Sequence, residues 1–209
     1  MRIAPAMAKE VIMDSRELVA QRFKDSIAVK EQVMRDEALL DEVAALSDRV
    51  VEAIRNGNKI LLCGNGGSAS DALHFAGEIV GRFQKERSAW SAVALNADVA
   101  TMTAIANDYG YEDIFARQVE GHVRPGDVFI GISTSGNSEN VLRAAKVAKE
   151  KGAITAALLG KDGGKIKDIV DHPVIVKNNV TARVQESHIC IIHAICELAE
   201  EKLSEHSAG

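Results

Sequence analysis

The hydrophobic pattern of residues 57–203 alternates between short apolar runs and longer amphipathic stretches. The apolar runs are nearly continuous, which is typical of parallel strands buried on both faces. The predicted strands are 59–63, 92–95, 127–132, 154–159 and 173–176. The predicted helices are 68–84, 98–107, 111–121, 137–151 and 181–203. This alternation predicts an α/β fold, namely a three-layer α/β/α sandwich with a central five-stranded parallel sheet and right-handed crossovers.

The chain before the first strand has a helical pattern from residue 14 to residue 56, and Gly57 follows where a helix commonly ends. Its apolar positions recur at helical spacing and are Leu39, Leu40, Val43, Leu46, Val50 and Ile54. We divide the chain into an N-terminal helical extension, residues 1–34, and a main domain, residues 35–209. This helical region packs either on its own domain or on another subunit. Because the sheet has other helices to cover both faces, we favour another subunit.

Composition and charge narrow the classes of protein that the chain can be. Of 209 residues, 46% are hydrophobic, which is enough for a buried core, and the net charge is −5. No basic run favours nucleic-acid binding, and no apolar stretch approaches the roughly 20 residues of a membrane span. Lys9 and Glu10 interrupt the apolar segment that a signal peptide needs. We therefore expect a cytoplasmic protein that binds neither nucleic acid nor membranes.

The three cysteines are Cys63, Cys190 and Cys196. Their number is odd, none forms a CxxC pair, and each lies in an apolar segment. This pattern predicts buried free thiols in a reducing compartment.

The first strand predicted in the sheet runs into a turn rich in glycine. Gly64, Gly66 and Gly67 let the backbone approach a ligand closely, and Asn65 adds a polar side chain. Ser68 and Ser70 follow, and either can cap the next helix, whose N-terminal N–H groups favour negative charge. An ordinary strand–turn–helix junction has the same pattern, so this segment alone does not predict a ligand.

A second turn, after the predicted strand 127–132, is rich in hydroxyl groups. Its hydroxyl residues are Ser133, Thr134, Ser135 and Ser138. The turn contains no lysine and does not match the nucleotide-binding P-loop, so we expect a compact phosphate carried by a sugar. The alternative is that Ser135 or Ser138 only caps the following helix.

Metal-binding side chains are spaced along two predicted helices. His74 and Glu78 are four residues apart and therefore share one helix face. Gln185, His188 and His193 lie on the last helix. Two histidines, a carboxylate and an amide oxygen suit zinc, although a lone histidine in an apolar run such as that of His193 is more often a core residue. Gln185 and His193 are about 12 Å apart along a helix, so both reach one ion only with side chains extended toward each other, or from two subunits.

The remaining polar candidates are weaker. His122, His172 and His206 have no such neighbours, and we expect them in loops, turns or on the surface. The segment 107–110 supplies Asn107 and Asp108 near another junction, where they could contact sugar hydroxyls or form a simple turn.

Five segments taken together resemble a known family. GNGGSASDALHFAGE, AIANDYGYEDIF, GISTSGNSENV, GKDGGK and RVQESHICIIH, in this order, are similar to the sugar isomerase (SIS) domain, and more closely to its phosphoheptose isomerase family. The resemblance covers residues 35–203 and implies the SIS fold. It also implies a cytoplasmic homotetramer with active sites between subunits, one zinc ion per subunit, and isomerisation of D-sedoheptulose 7-phosphate to D-glycero-D-manno-heptose 7-phosphate for lipopolysaccharide precursors.

The resemblance also implies the roles of individual residues. The metal-site positions are His74, Glu78, Gln185 and His193. The substrate-binding positions are Asn65, Gly66, Gly67, Ser68, Asn107, Asp108, Ser133, Thr134, Ser135, Ser138 and Gln185. The acid–base pair is Glu78 and His193.

We expect Glu78 to move the carbon-bound proton of an enediol mechanism and His193 to serve the substrate oxygen. The two roles of each residue compete, because a carboxylate held by a metal is a weaker base. The sequence leaves open whether these residues act mainly as acid and base or as ligands. Two other functions also stay open: a non-enzymatic SIS protein that binds the replication initiator, and an isomerase of another sugar phosphate.

Overall fold

The computed structural model of the chain describes residues 14–204. Within these residues, five parallel strands form one sheet in the order β2–β1–β3–β4–β5. The strands are β1 Ile60–Gly64, β2 Ala92–Ala94, β3 Val128–Ser133, β4 Ile154–Gly160 and β5 His172–Val176. The predicted five-stranded parallel sheet is confirmed, and each strand begins and ends within one residue of the predicted range.

Helices cover both faces of this sheet. They are α1 Ser15–Arg35, α2 Glu37–Arg55, α3 Gly67–Val80, α4 Val99–Tyr109, α5 Ala116–His122, α6 Glu139–Glu150 and α7 Thr181–Ser204. The predicted helix 111–121 is shorter than expected, because Tyr111–Asp113 forms a separate 3₁₀ turn before α5. The three-layer α/β/α sandwich is confirmed.

The predicted helical stretch 14–56 is two helices rather than one. The break lies at Asp36, whose carboxylate accepts a hydrogen bond from the N–H of Leu39 at 3.1 Å and so caps α2. An aspartate in this position stabilises the start of a new helix in preference to continuing the old one.

Two hydrophobic cores lie on opposite faces of the sheet. Helices α2, α3 and α7 bury one face, with Leu46, Val50, Phe75, Ile79 and Ile192 among the fully covered side chains. Helices α4, α5 and α6 bury the other face. Strands β1 and β3 are buried along their whole length, as their continuous apolar runs predict.

The expected packing of the N-terminal helical region against another subunit is wrong for α2. Most of its apolar stripe is buried within the chain itself, where α2 lies on β5 and α7. The reason is that α3 and α7 leave the β5 side of the sheet open, and α2 covers it.

Helix α1 differs from α2, because Val29 is the single buried residue within it. Large apolar side chains on α1 stay exposed, and they are Leu18, Val19, Phe23, Ile27 and Met34. Of the predicted extension 1–34, residues 1–13 lie outside the described residues, and the division after residue 34 stays a prediction.

The cysteine prediction is confirmed for two of the three residues. Cys63 and Cys196 are buried free thiols, and burial raises the pKa of Cys196 to about 12. Cys190 is exposed, so the prediction is wrong there. It lies on the side of α7 that faces a groove lined by α1 and α2 rather than the sheet. In residues 14–204, no helix combines the length and apolarity needed to span a membrane.

Candidate active site

The glycine turn and the hydroxyl turn lie side by side at the carboxyl edge of the sheet. They follow β1 and β3, which are neighbouring strands. Asn65 in the first turn and Asn140 at the start of α6 join the two segments by reciprocal hydrogen bonds of 2.9 Å between their amides. Ligands of parallel α/β sheets bind beyond this edge, so both turns lie where a ligand of this sheet would bind.

The backbone of the glycine turn requires glycine. Gly66 has a positive φ of 56°, and a Cβ on Gly64 would lie 2.5 Å from the carbonyl oxygen of Ser68. The expected side-chain cap is wrong, because Gly66 occupies the N-cap position of α3 and makes no side-chain cap hydrogen bond. Ser68 is already inside the helix and buried.

The hydroxyls of the second turn contact one another. The Oγ of Ser133 lies 2.9 Å from that of Ser138 and 3.4 Å from that of Ser135. Ser138 occupies the N-cap position of α6, yet its side chain makes no cap hydrogen bond. The capping alternative therefore fails for Ser138, and its hydroxyl remains grouped with that of Ser133. Thr134, between these residues, is partly exposed.

His74, Glu78 and His193 converge into one cluster. The Nε2 of His74 lies 2.9 Å from Oε1 of Glu78, and the ring centroids of His74 and His193 are 5.2 Å apart. One potential ligand atom from each residue falls within 4.8 Å of the other two. The side chains of His74 and Glu78 are 44% and 23% exposed, which leaves the cluster accessible to a ligand. This donor set of two imidazoles and a carboxylate fits zinc.

Gln185 lies at the other end of the same helix pair. Its Nε2 would be 2.4 Å from a Cβ on Gly67, so the amide packs directly on the glycine turn. Helices α3 and α7 run side by side in the same direction, with Gln185 beside Gly67 and His193 beside His74. The role of Gln185 as a fourth ligand stays a prediction.

Asn107 and Asp108 lie in the last turn of helix α4 and are exposed. The amide of Asn107 donates to the carboxylate of Asp108 at 2.8 Å. The residue that connects this segment to the glycine turn is Tyr111, whose hydroxyl donates to Oδ1 of Asn65 at 2.9 Å. Sequence reasoning missed Tyr111, because it falls one residue beyond the segment 107–110.

Asn96 was also missed, and it supports the glycine turn from β2. Its amide donates to the carbonyl of Gly64 at 2.9 Å, and its Oδ1 accepts from the Gly64 N–H at 3.1 Å. The Asn96 side chain thus makes the hydrogen bonds to Gly64 that the backbone of a longer β2 would make. Asn96 follows strand β2, and Asn140 is at the start of helix α6. Both positions are at the carboxyl edge of the sheet, where ligands bind, and this is the signal that could have identified them.

The other histidines have separate surroundings. His188 is fully buried, and its Nε2 donates to the carbonyl of Leu159 at 3.0 Å. His172 is in strand β5 rather than in a loop, and its Nδ1 lies 2.7 Å from Glu42 of α2. His122 is exposed at the end of α5, as expected, and His206 lies outside the described residues.

Asp71, one turn before His74, is a further carboxylate near the cluster. Its Oδ2 is buried and has no hydrogen-bond partner among the described residues. Burial raises the pKa of this carboxyl group, and the nearby His74 opposes the shift.

The fold and the paired turns define a domain of the SIS class. The family model described as the SIS domain matches residues 22–160. A phosphoheptose isomerase from Trichlorobacter lovleyi is 51% identical over 191 residues, covering 91% of this chain and 96% of the relative. The chain therefore belongs to the SIS domain family and, within it, to the phosphoheptose isomerases.

Solved structures agree with this assignment. A phosphoheptose isomerase from Neisseria gonorrhoeae superimposes with a TM-score of 0.84 at 42% identity, covering 89% of this chain and 98% of that one. A phosphoheptose isomerase from Francisella tularensis gives a TM-score of 0.86 at 34% identity, covering 90% and 100%. The resemblance to the phosphoheptose isomerase family is confirmed.

Proposed function

We propose that this chain interconverts D-sedoheptulose 7-phosphate and D-glycero-D-manno-heptose 7-phosphate as an aldose–ketose isomerase. The chain is a sugar-phosphate isomerase of the phosphoheptose isomerase family. The observation that carries the proposal is the convergence of His74, Glu78 and His193 in a chain with two turns suited to an anion. The product would supply the heptose precursors of bacterial lipopolysaccharide.

The hydroxyl turn is the proposed anchor for the substrate phosphate. Ser133, Thr134, Ser135 and Ser138 offer hydroxyl donors next to the N-terminus of α6. A helix N-terminus adds favourable electrostatics for an anion. Asn65, Gly66, Gly67, Ser68 and Gln185, with Asn107 and Asp108, are the proposed contacts to the rest of the sugar.

Glu78 and His193 are the proposed proton-transfer groups. An aldose–ketose isomerisation through an enediol needs a base at carbon and an acid or electrophile at the carbonyl oxygen. Glu78 would remove and return the carbon-bound proton, and His193 would act at the oxygen. Their potential donor atoms lie within 4.8 Å of each other, close enough to serve adjacent atoms of one substrate.

His74, Glu78 and His193, joined by Gln185, are the residues that would hold one zinc ion per subunit. A bound zinc ion supplies Lewis-acid polarisation of a carbonyl oxygen. The Nε2 of His74 and the Oε1 of Glu78 lie 2.9 Å apart, and a bound ion would replace the proton that they share.

We further propose a homotetramer in the cytoplasm with active sites at subunit interfaces. The exposed apolar residues of α1 support assembly, because such patches mark protein–protein contacts. The free cysteines are consistent with a reducing compartment.

The cluster distinguishes this function from the non-enzymatic alternative. A SIS protein that binds only a protein partner needs the fold and has no use for two histidines and a glutamate around one point. That cluster favours the isomerase.

The decisive experiment incubates the purified protein with sedoheptulose 7-phosphate, with and without a chelator, and follows aldose formation. We expect turnover that the chelator reduces and added zinc restores. Glu78→Gln should lower kcat at least about 100-fold, because it removes the base, while calorimetry still detects sugar-phosphate binding.

Glu197→Gln is the matched control, since Glu197 is an exposed carboxylate one turn beyond His193. Its activity should equal that of the wild type. Near-normal turnover by Glu78→Gln would remove Glu78 from the mechanism. A zinc-loaded wild type that leaves sedoheptulose 7-phosphate unchanged would overturn the proposed function.

A further inference from the structure

The segment 81–90, which links α3 to β2, is held by one buried carboxylate of α7. Glu200 is 1% exposed and accepts hydrogen bonds of 2.8 Å from the N–H groups of Phe83, Gln84 and Lys85. It also accepts a bond of 3.0 Å from Nε of Arg87. Four donors thus converge on one side chain, and they hold residues 83–87 against α7.

Arg87 links this segment to the end of α3 by hydrogen bonds. Its Nη2 donates to the carbonyl of Glu78 at 2.9 Å, and its Nη1 donates to the carbonyl of Ile79 at 3.1 Å. The guanidinium also lies 3.5 Å from the ring centroid of Trp90. Carbonyls in the last turn of a helix have no partners within that helix. Arg87 therefore closes the helix end that presents Glu78.

Phe83 connects the same segment to His193. The centroid of its ring lies 5.4 Å from that of the His193 ring, with an angle of 31° between the ring planes. Glu200 follows His193 by seven residues, so both lie on one face of α7. The face of α7 that carries His193 therefore also carries Glu200, which holds the Phe83 backbone so that the Phe83 ring packs on His193.

We propose that Glu200 and Arg87 are positioning residues that orient His193, through Phe83, and Glu78, through the end of α3. This inference rests on the proposed function, because it gives these residues a task in isomerisation. A buried ion pair is weak evidence for stability, since an apolar replacement is often as stable. The hydrogen bonds from Glu200 to the segment that carries Phe83 indicate that this ion pair positions the segment.

The test compares the steady-state kinetics of the variants Glu200→Gln, Phe83→Leu and their combination. Glu200→Gln removes the charge that gathers the N–H groups, and Phe83→Leu removes the ring while keeping an apolar side chain. Each should lower kcat about 10- to 100-fold, the cost of misplacing catalytic groups by about 1 Å. KM for sedoheptulose 7-phosphate should stay within about twofold, because the phosphate anchor is elsewhere. The double variant should be no worse than the more impaired single variant, because both act on one linkage.

Two variants serve as controls. Glu201→Gln breaks the exposed ion pair with Lys85, at 2.8 Å in the same segment, and leaves Glu200 intact, so its kcat should be unchanged. Phe83→Tyr keeps an aromatic ring at this position, so its kcat should equal that of the wild type.

The NMR signals of the His193 ring give a readout that does not depend on activity. Because the ring centroids are 5.4 Å apart, the ring current of Phe83 should shift these signals in the wild type. Both Glu200→Gln and Phe83→Leu should move them in the same direction. If Glu200→Gln does not fold, Arg87→Lys takes its place, because lysine keeps the charge and cannot bridge Glu200 and two carbonyls.

Unchanged His193 signals, or kcat within about twofold of the wild type in both single variants, would overturn the proposal. A wild type without isomerase activity would instead overturn the proposed function, and the His193 signals would still decide whether the linkage exists.

Discussion

His188 is a buried residue whose protonation state affects the stability of the fold. Burial lowers its pKa from 6.5 to about 4, although the hydrogen bond to Leu159 partly opposes the shift. The folded protein therefore keeps the ring neutral, while the unfolded chain takes up a proton below about pH 6.5. The stabilisation is complete above that pH and falls by about 3 kcal/mol as the pH drops to 4.

We expect His188→Gln to remove this pH dependence while keeping a donor for the Leu159 carbonyl. The measurement is the free energy of unfolding in urea at several pH values between 4.5 and 7, compared with the wild type. Because carboxylates contribute equally to both proteins, the difference between the two curves isolates His188. Parallel curves would show that His188 does not contribute.

At the level of residues, the sequence predicts contacts within one helix better than contacts between distant segments. His74 and Glu78 could be paired from their spacing alone, and they do form a hydrogen bond. Phe83 beside His193, and Tyr111 beside Asn65, depend on segments far apart in the chain. No local spacing encodes such contacts, because the fold determines which segments meet.

At the level of elements, the hydroxyl turn is supported by the loop after β4. Gly136 has a φ of 64°, and a Cβ there would lie 2.1 Å from the backbone oxygen of Gly163. The N–H of Ile166 donates to the carbonyl of Gly136 at 3.0 Å. The two loops therefore pack backbone against backbone, with no space for a side chain.

Gly136→Ala should destabilise the fold by about 2–4 kcal/mol, since it adds both backbone strain and a steric clash. KM for the sugar phosphate should rise, because the anchoring hydroxyls move. Urea unfolding and steady-state kinetics measure the two effects. Gly121→Ala is the control, because this helical glycine has open space around its Cβ position and alanine favours a helix. Equal stability of the two variants would contradict this prediction.

The strands were predictable because continuous apolar runs bounded by turns have few other interpretations. The break at Asp36 was not, because the surrounding residues favour a helix on both sides and one cap hydrogen bond decides it. The surface on which the apolar face of α2 packs was also not predictable. Periodicity shows that a helix face is buried and does not show what covers it.

At the level of the whole molecule, α1 presents the largest row of exposed apolar side chains on any helix described here. Phe23 is 68% exposed and Ile27 is 55% exposed. Replacing both with serine should dissociate the proposed tetramer, because their burial between copies would be lost. Light scattering coupled to size-exclusion chromatography measures the mass.

Val99→Ser is the control for this experiment. Val99 is also 68% exposed, and it lies on α4, on the opposite face of the sheet. Its mass should equal that of the wild type. An unchanged assembly in the Phe23 and Ile27 variant would rule out the α1 face as the contact.

The contacts of α1 affect how the specific activity of the enzyme depends on protein concentration. Helix α1 contacts the rest of the chain through Val29 and Val33 and through polar contacts such as the 2.8 Å bond from Arg183 to the Arg22 carbonyl. Arg183 is two residues from Gln185, so we expect that loss of the proposed contacts between copies at α1 would loosen the helix that carries Gln185. Specific activity should then fall at low protein concentration, where the proposed tetramer dissociates.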